Sequence, residues 1–69
     1  MVCTKYEYAT GGAKGSFTAD TLPSPLPETY DGIAGGAGKG VKIAPGSELI
    51  VTGTAEVHMK KEGEGWDKL

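Results

Sequence analysis

Residues 48–61 read ELIVTGTAEVHMKK and form the longest stretch of this chain that keeps a single period. Alternate positions fall on two faces, one of which carries Leu49, Val51, Gly53, Ala55, Val57 and Met59. A period of two is typical of a half-buried β-strand. We therefore predict one long strand here, with Glu56 and His58 on its solvated face. Gly53 indicates a bulge or bend in the middle of that strand.

Two shorter runs near the start of the chain also have strand character. Residues 2–9, VCTKYEYA, place β-branched and aromatic side chains opposite charged ones, which predicts a strand with one wet face. Residues 10–15, TGGAKG, are predicted to be a flexible turn. Residues 16–21, SFTADT, are predicted to pair back across that turn as a second strand.

A third short strand is predicted over residues 41–44, VKIA, just before the long one. The Pro45-Gly46 pair that separates them is typical of a type II turn, with a positive φ at Gly46. The two strands should therefore form a hairpin or a corner. The fold class is predicted to be all-β, a single small domain over residues 1–69 that forms a roll or barrel of about four to five strands.

The middle of the chain is predicted to be a Pro- and Gly-rich connector over residues 22–40. Residues 22–29, LPSPLPET, contain three prolines and should run extended, because proline fixes φ and has no N–H for a helix or central strand. This segment offers no P-x-x-P pair for an SH3-type groove, so a stiff connector is the preferred interpretation. Residues 60–69 lose the alternation and are predicted to be a C-terminal tail.

The Gly-rich loop, residues 32–40, is the segment that most resembles a ligand site. Glycine backbones can approach an anion closely, and a lysine adds positive charge. A Walker A loop, however, needs a differently spaced glycine, a hydroxyl residue after the lysine and a following helix, and none of these is present. The loop is therefore predicted to be mobile, and the anion-binding alternative would use the following residues: Gly36, Gly38, Lys39 and Gly40.

The composition excludes several ways of stabilising or using so small a domain. A chain of 69 residues has a thin core, and such domains commonly depend on disulfides, metal ions or association. Cys3 is the only cysteine and His58 the only histidine, so neither an intrachain disulfide nor a zinc site is expected. His58 is also the only imidazole base. We predict no catalytic residues, no cofactor and no metal, and we expect stabilisation by association.

The charge balance argues against two classes of partner. The chain carries nine acidic residues, seven lysines and no arginine, for a net charge of −2. It therefore has no basic face for nucleic acid. The sequence also contains no apolar span long enough to cross a membrane and no signal-peptide pattern, which favours a cytoplasmic or virion protein.

These observations favour a non-catalytic structural or interaction subunit that packs into a homo-oligomer or a larger assembly. A virion coat or cement component would be one form of such a subunit. Trp66 is either a lid on the chain's own core or an anchor in a partner, a role in which tryptophan is over-represented. The predicted interaction residues are the following: Trp66, Leu69, Leu22 and Leu26. The alternative is a small-ligand or anion-binding module that uses the Gly-rich loop.

Overall fold

The computed structural model describes residues 1–69 and contains five β-strands in one sheet. The strands follow one another across the sheet in chain order, β1 to β5. All neighbouring pairs are antiparallel except β2 and β3, which are parallel. The predicted all-β class is confirmed, and the sheet is an open roll with β1 and β5 at its edges. The bounds are β1 Val2–Ala9, β2 Gly12–Ala19, β3 Glu48–Val51, β4 Glu56–Lys60 and β5 Trp66–Lys68.

The first two strands form a hairpin with a tight turn. β1 has the predicted bounds, but the predicted flexible turn over residues 10–15 is wrong, because Ala9 already pairs with Gly12. β2 therefore begins four residues earlier than the predicted 16–21 strand and ends two residues earlier. Of the glycines in this segment, Gly12 and Gly15 lie inside the ladder, and alternate residues of β2 are buried.

The predicted long strand over residues 48–61 is two strands joined by a reversal. β3 ends at Val51, where Thr54 N donates to the Val51 carbonyl at 3.4 Å, and β4 begins at Glu56. Gly53 therefore lies in a hairpin turn and not in a bulge. The reversal also changes the phase of the alternation: Leu49 pairs with His58 and shares its face. His58 is buried, so its predicted solvated position is wrong.

The connector between β2 and β3 folds back on itself and also hydrogen-bonds to β1 and β2. Residues 28–30 pair with residues 41–43, since Tyr30 N donates to Val41 O and Ile43 N donates to Glu28 O. The second of these segments also pairs with β2, through Ala13. The Gly-rich loop is not detached from the fold either, because Cys3 N donates to Ala34 O at 2.8 Å.

The Pro45-Gly46 corner connects this crossover to β3. Gly46 has φ of 90°, and Ser47 N donates to Ala44 O, so the predicted turn with positive φ is confirmed. The buried Ser47 hydroxyl accepts from Gly15 N at 3.0 Å and donates to Ala44 O at 2.8 Å. The corner is thus tied directly to β2, and no hairpin forms between the two flanking segments.

The core lies on one side of the sheet, between the strands and the crossover. Its largest fully buried side chains are Tyr30, Phe17, Leu49 and Val51. Leu26, Ile33 and Trp66 pack against it from the connector and from β5. The chain forms no helix long and apolar enough to cross a membrane.

Candidate functional site

The side of the sheet that faces away from the core carries a continuous line of apolar side chains, which we call the apolar row. The strand register aligns Val2 with Thr18, Thr18 with Ile50 and Ile50 with Val57. Leu69 extends the row beyond β5, where its N–H donates to Val57 O at 2.8 Å. Every strand therefore contributes to one line across the sheet. The row consists of Val2, Thr18, Ile50, Val57 and Leu69.

The ends of the apolar row are exposed and its centre is partly covered. Val2 is 48% exposed and Leu69 69% exposed, whereas Ile50 and Val57 are half-buried. Met59 lies on the same face beside the row and is also exposed. A contiguous apolar patch on a sheet face is typical of a contact surface. The exposed part of this patch comprises Val2, Leu69 and Met59.

The four predicted interaction residues do not form a single surface. Leu69 belongs to the apolar row, whereas Leu22 is 44% exposed in the connector after β2. Leu26 and Trp66 are half-buried and pack against the core. The Trp66 indole N–H donates to Pro27 O at 2.9 Å, which fixes the ring as a cover on the chain's own core.

A buried lysine holds the C-terminal hairpin to the connector. Lys60 is 3% exposed, and its ammonium group donates to Lys61 O at 3.1 Å and to Gly63 O at 2.9 Å. It also lies 3.1 Å from Glu28 Oε1, and the other oxygen of that carboxylate accepts from Gly65 N. All three ammonium donors are thus used, as a buried charge requires. We call this arrangement the lysine clasp.

The only imidazole of the chain does not lie beside the only thiol. His58 Nε2 is buried, has no hydrogen-bond partner and lies 3.9 Å from Glu56 Oε1. Cys3 is also buried, but it is on β1, which two strands separate from the β4 strand that carries His58. A nucleophile and an orienting partner must be within hydrogen-bond reach of each other. The structure does not bring these two residues together.

Glu56, beside His58, is instead part of an ion pair at the sheet surface. Lys68 Nζ lies 2.9 Å from Glu56 Oε1, and Thr54 Oγ1 donates to Oε2 at 2.8 Å. The hydrogen bond from Lys68, followed by the one from Thr54, lowers the pKa of the Glu56 carboxyl below its ordinary value of 4.5. This group links β4 to β5.

The Gly-rich loop lines a shallow, open cavity of about 370 Å³, and the lining includes three of the four predicted anion-binding residues, Gly36, Gly38 and Lys39. Gly36 is needed for packing, since a Cβ there would lie 2.5 Å from Tyr30 O. The fourth predicted residue, Gly40, donates its N–H to the Asp31 carboxylate. The Gly40 N–H, which an anion would need, is therefore already used by the carboxylate of Asp31. This carboxylate also adds negative charge to the cavity.

All five aromatic side chains of the protein form one continuous series of ring contacts, which we call the aromatic chain. Its order is Tyr8, Tyr6, Tyr30, Phe17 and Trp66, with successive centroids 6.1, 5.7, 5.1 and 6.1 Å apart. The chain begins at the surface, since Tyr8 is 71% exposed, and it passes through the fully buried pair Tyr30 and Phe17. Sequence periodicity gave no sign of it, because four of the rings lie on three different strands and one lies in the connector.

At the centre of the aromatic chain, the Tyr30 hydroxyl is buried without a hydrogen-bond partner. Burial raises the pKa of this hydroxyl above its ordinary value of 10.0, and the neighbouring Ser47 hydroxyl offsets only part of the effect. Ser47 already donates to Ala44 O and accepts from Gly15 N.

The comparisons add no relative to this description. No group of three or more His, Cys, Asp or Glu side chains is arranged to hold a metal ion. No family model matches the chain, and no significant similarity connects it with a curated protein or a solved structure.

Proposed function

We propose that the protein is a non-catalytic structural or interaction subunit that packs onto copies of itself or into a larger assembly. The observation that carries the proposal is the apolar row, which crosses the whole sheet on the side opposite the core. Burying apolar surface is the main favourable term in protein association. A sheet face with such a row gains more from a partner than from water.

The size of the protein supports the same proposal. A standard interface buries about 800 Å² on each partner, which is about a fifth of the 4176 Å² of accessible surface here. Small domains with thin cores gain stability when association removes such an area from water. The apolar row, with Met59 beside it, is the part of the surface best suited to that burial.

The test is the mass of the purified protein in solution, measured by light scattering across a concentration series. We expect a mass above 7.1 kDa that increases with concentration or stays at a fixed multiple. Leu69→Lys should shift the distribution toward monomer, because it places a charge at the exposed end of the row. Leu22→Lys is the matched control, since this leucine is also exposed but lies off the row. A folded monomer at every concentration would refute self-assembly.

A second candidate is a small-ligand or anion-binding module that uses the cavity of the Gly-rich loop. Its support is the cavity itself, with Lys39 in the lining. A phosphate-binding module should melt at a higher temperature as phosphate is added, by the amount that mass action allows. Lys39→Ala should abolish that gain, and Lys42→Ala is a control outside the loop. No gain with phosphate for the unaltered chain would remove this candidate.

A further inference from the structure

The outer edge of β1 is open over most of its length. β1 pairs only with β2, and beyond Cys3 no backbone hydrogen bond joins it to any other segment. On β2, Ala13 N donates to Lys42 O and Gly15 N donates to the Ser47 hydroxyl, both away from β1. Their β1 partners are Tyr8 and Tyr6, which in an antiparallel ladder then direct their own N–H and C=O groups outward. An edge of this kind is a template for another strand.

We propose that this edge pairs with the same edge of a second copy, antiparallel, with Tyr6 on the two-fold axis. The inference rests on the proposed function and specifies one contact of the homo-oligomer. Strand addition of this kind supplies main-chain hydrogen bonds, and the side chains choose the register. The two copies then share one continuous sheet of ten strands.

Charge selects this register over the neighbouring one. With Tyr6 on the axis, Lys5 of each copy lies opposite Glu7 of the other, so two opposite-charge pairs form by symmetry. A shift that puts Glu7 on the axis places two carboxylates directly opposite each other. Opposite charges across a strand pair are favourable and like charges are unfavourable. Both side chains are exposed on the face away from the core and are free to pair.

The aromatic chain gives a second reason for the same axis. Tyr6 is 39% exposed and already contacts the rings of Tyr8 and Tyr30. In the proposed register, Tyr6 of one copy lies directly opposite Tyr6 of the other, and cross-strand aromatic pairs are favourable. The two aromatic chains would then meet at the axis.

The test is a charge exchange followed by sedimentation analysis of the full chain. Lys5→Glu alone and Glu7→Lys alone each place like charges in both pairs, and each should raise the dimer dissociation constant about tenfold. The double variant, Lys5→Glu with Glu7→Lys, should restore the original value. An equimolar mixture of the two single variants should form a heterodimer, because each then opposes the charge of the other. Recovery by mixing also shows that both single variants are folded.

The matched controls carry the same changes of net charge at exposed residues of the C-terminal turn, Lys61→Glu and Glu62→Lys. These should leave the dissociation constant unchanged, and mixing them should give no preference for the heterodimer over the two homodimers. Self-association that is insensitive to the β1 charges would overturn the edge pairing and leave the proposed function standing. Failure of the double variant to recover would overturn the register. A monomer at all concentrations would overturn both the edge pairing and the self-assembly from which it follows.

Discussion

Tyr30 places an unpartnered hydroxyl in the centre of the core, and its removal should stabilise the protein. A buried polar group without a hydrogen bond costs about 1–3 kcal/mol. We expect Tyr30→Phe to raise the free energy of unfolding by about 1 kcal/mol in urea titrations, because the ring contacts with Phe17 and Tyr6 remain. Tyr8→Phe is the control at an exposed position and should change little. A loss of stability in Tyr30→Phe would mean that the hydroxyl has a partner.

The same residue predicts a response to alkaline pH. The pKa of Tyr30 is raised in the folded state, so folding holds the proton more tightly than the unfolded chain does. The contribution of this group to stability is complete below pH 10 and is lost as pH rises through the folded pKa. The stability advantage of Tyr30→Phe over the wild type, measured as the difference in unfolding free energy, should therefore increase above pH 10. An unchanged difference would contradict the raised pKa.

Glu56 predicts the opposite dependence at acidic pH. Its pKa is lowered by Lys68 and Thr54, so its contribution to stability is present above the ordinary value of 4.5 and is lost as pH falls through the folded pKa. Glu56→Gln should be less stable than the wild type at pH 7, and the difference should disappear at pH 3. Denaturant titrations at both pH values measure this, with Glu62→Gln as the exposed control. A difference that persists at pH 3 would assign the effect to packing.

We expect the lysine clasp to keep the C-terminal hairpin docked on the connector. Replacing Lys60 with methionine keeps the bulk of the stem but removes three donors. We expect a loss of about 2 kcal/mol in unfolding free energy and faster hydrogen exchange at Gly65. Lys61→Met, at the exposed neighbouring position, should have an effect within about 0.5 kcal/mol. Equal losses in the two variants would show that the buried ammonium has no special role.

The elements also show how far the sequence determines this fold. The sequence predicts the observed bounds of β1, because the alternation of its side chains runs without a break up to the turn that follows it. The run over residues 48–61 looks like one strand because Val57 and Met59, on the outer face of β4, continue the alternation that Leu49 and Val51 begin on the core face of β3. Strand pairing across the turn between β3 and β4 then put Leu49 and His58 on the same face. No local pattern can reveal such a change of face.

The candidate site was predictable only in part, for a related reason. Leu69 was singled out from its hydrophobicity and sits at one end of the apolar row. The other four members of the row come from four separate strands and meet only once the strand order and register are known. For Trp66 the sequence leaves two alternatives open, a lid on the chain's own core or an anchor in a partner. The contacts that make it a cover on the core come from Pro27 and Phe17, which are distant in sequence.

Self-association should be visible in the melting temperature of the protein. A protein that assembles only when folded gains stability by mass action, so its melting temperature rises with protein concentration. We expect this rise for the unaltered chain and a smaller one for Lys5→Glu, measured by calorimetry over a hundredfold dilution series. The control is Lys61→Glu, which should follow the unaltered chain. A melting temperature that does not depend on concentration would argue for a monomer.

The parallel pairing of β2 with β3 has a consequence for how the protein folds. The β1–β2 hairpin and the β3–β5 meander are each local, whereas the bond between Ser16 and Glu48 joins residues 32 apart in the chain. Folding slows as contacts become more distant in sequence, because loop closure must precede them. The β1–β2 hairpin and the β3–β5 meander can therefore form early, and the edges of β2 and β3 stay unpaired until the two units meet. During that interval, at high protein concentration, two partly folded chains are most prone to exchange hairpins, which is domain swapping.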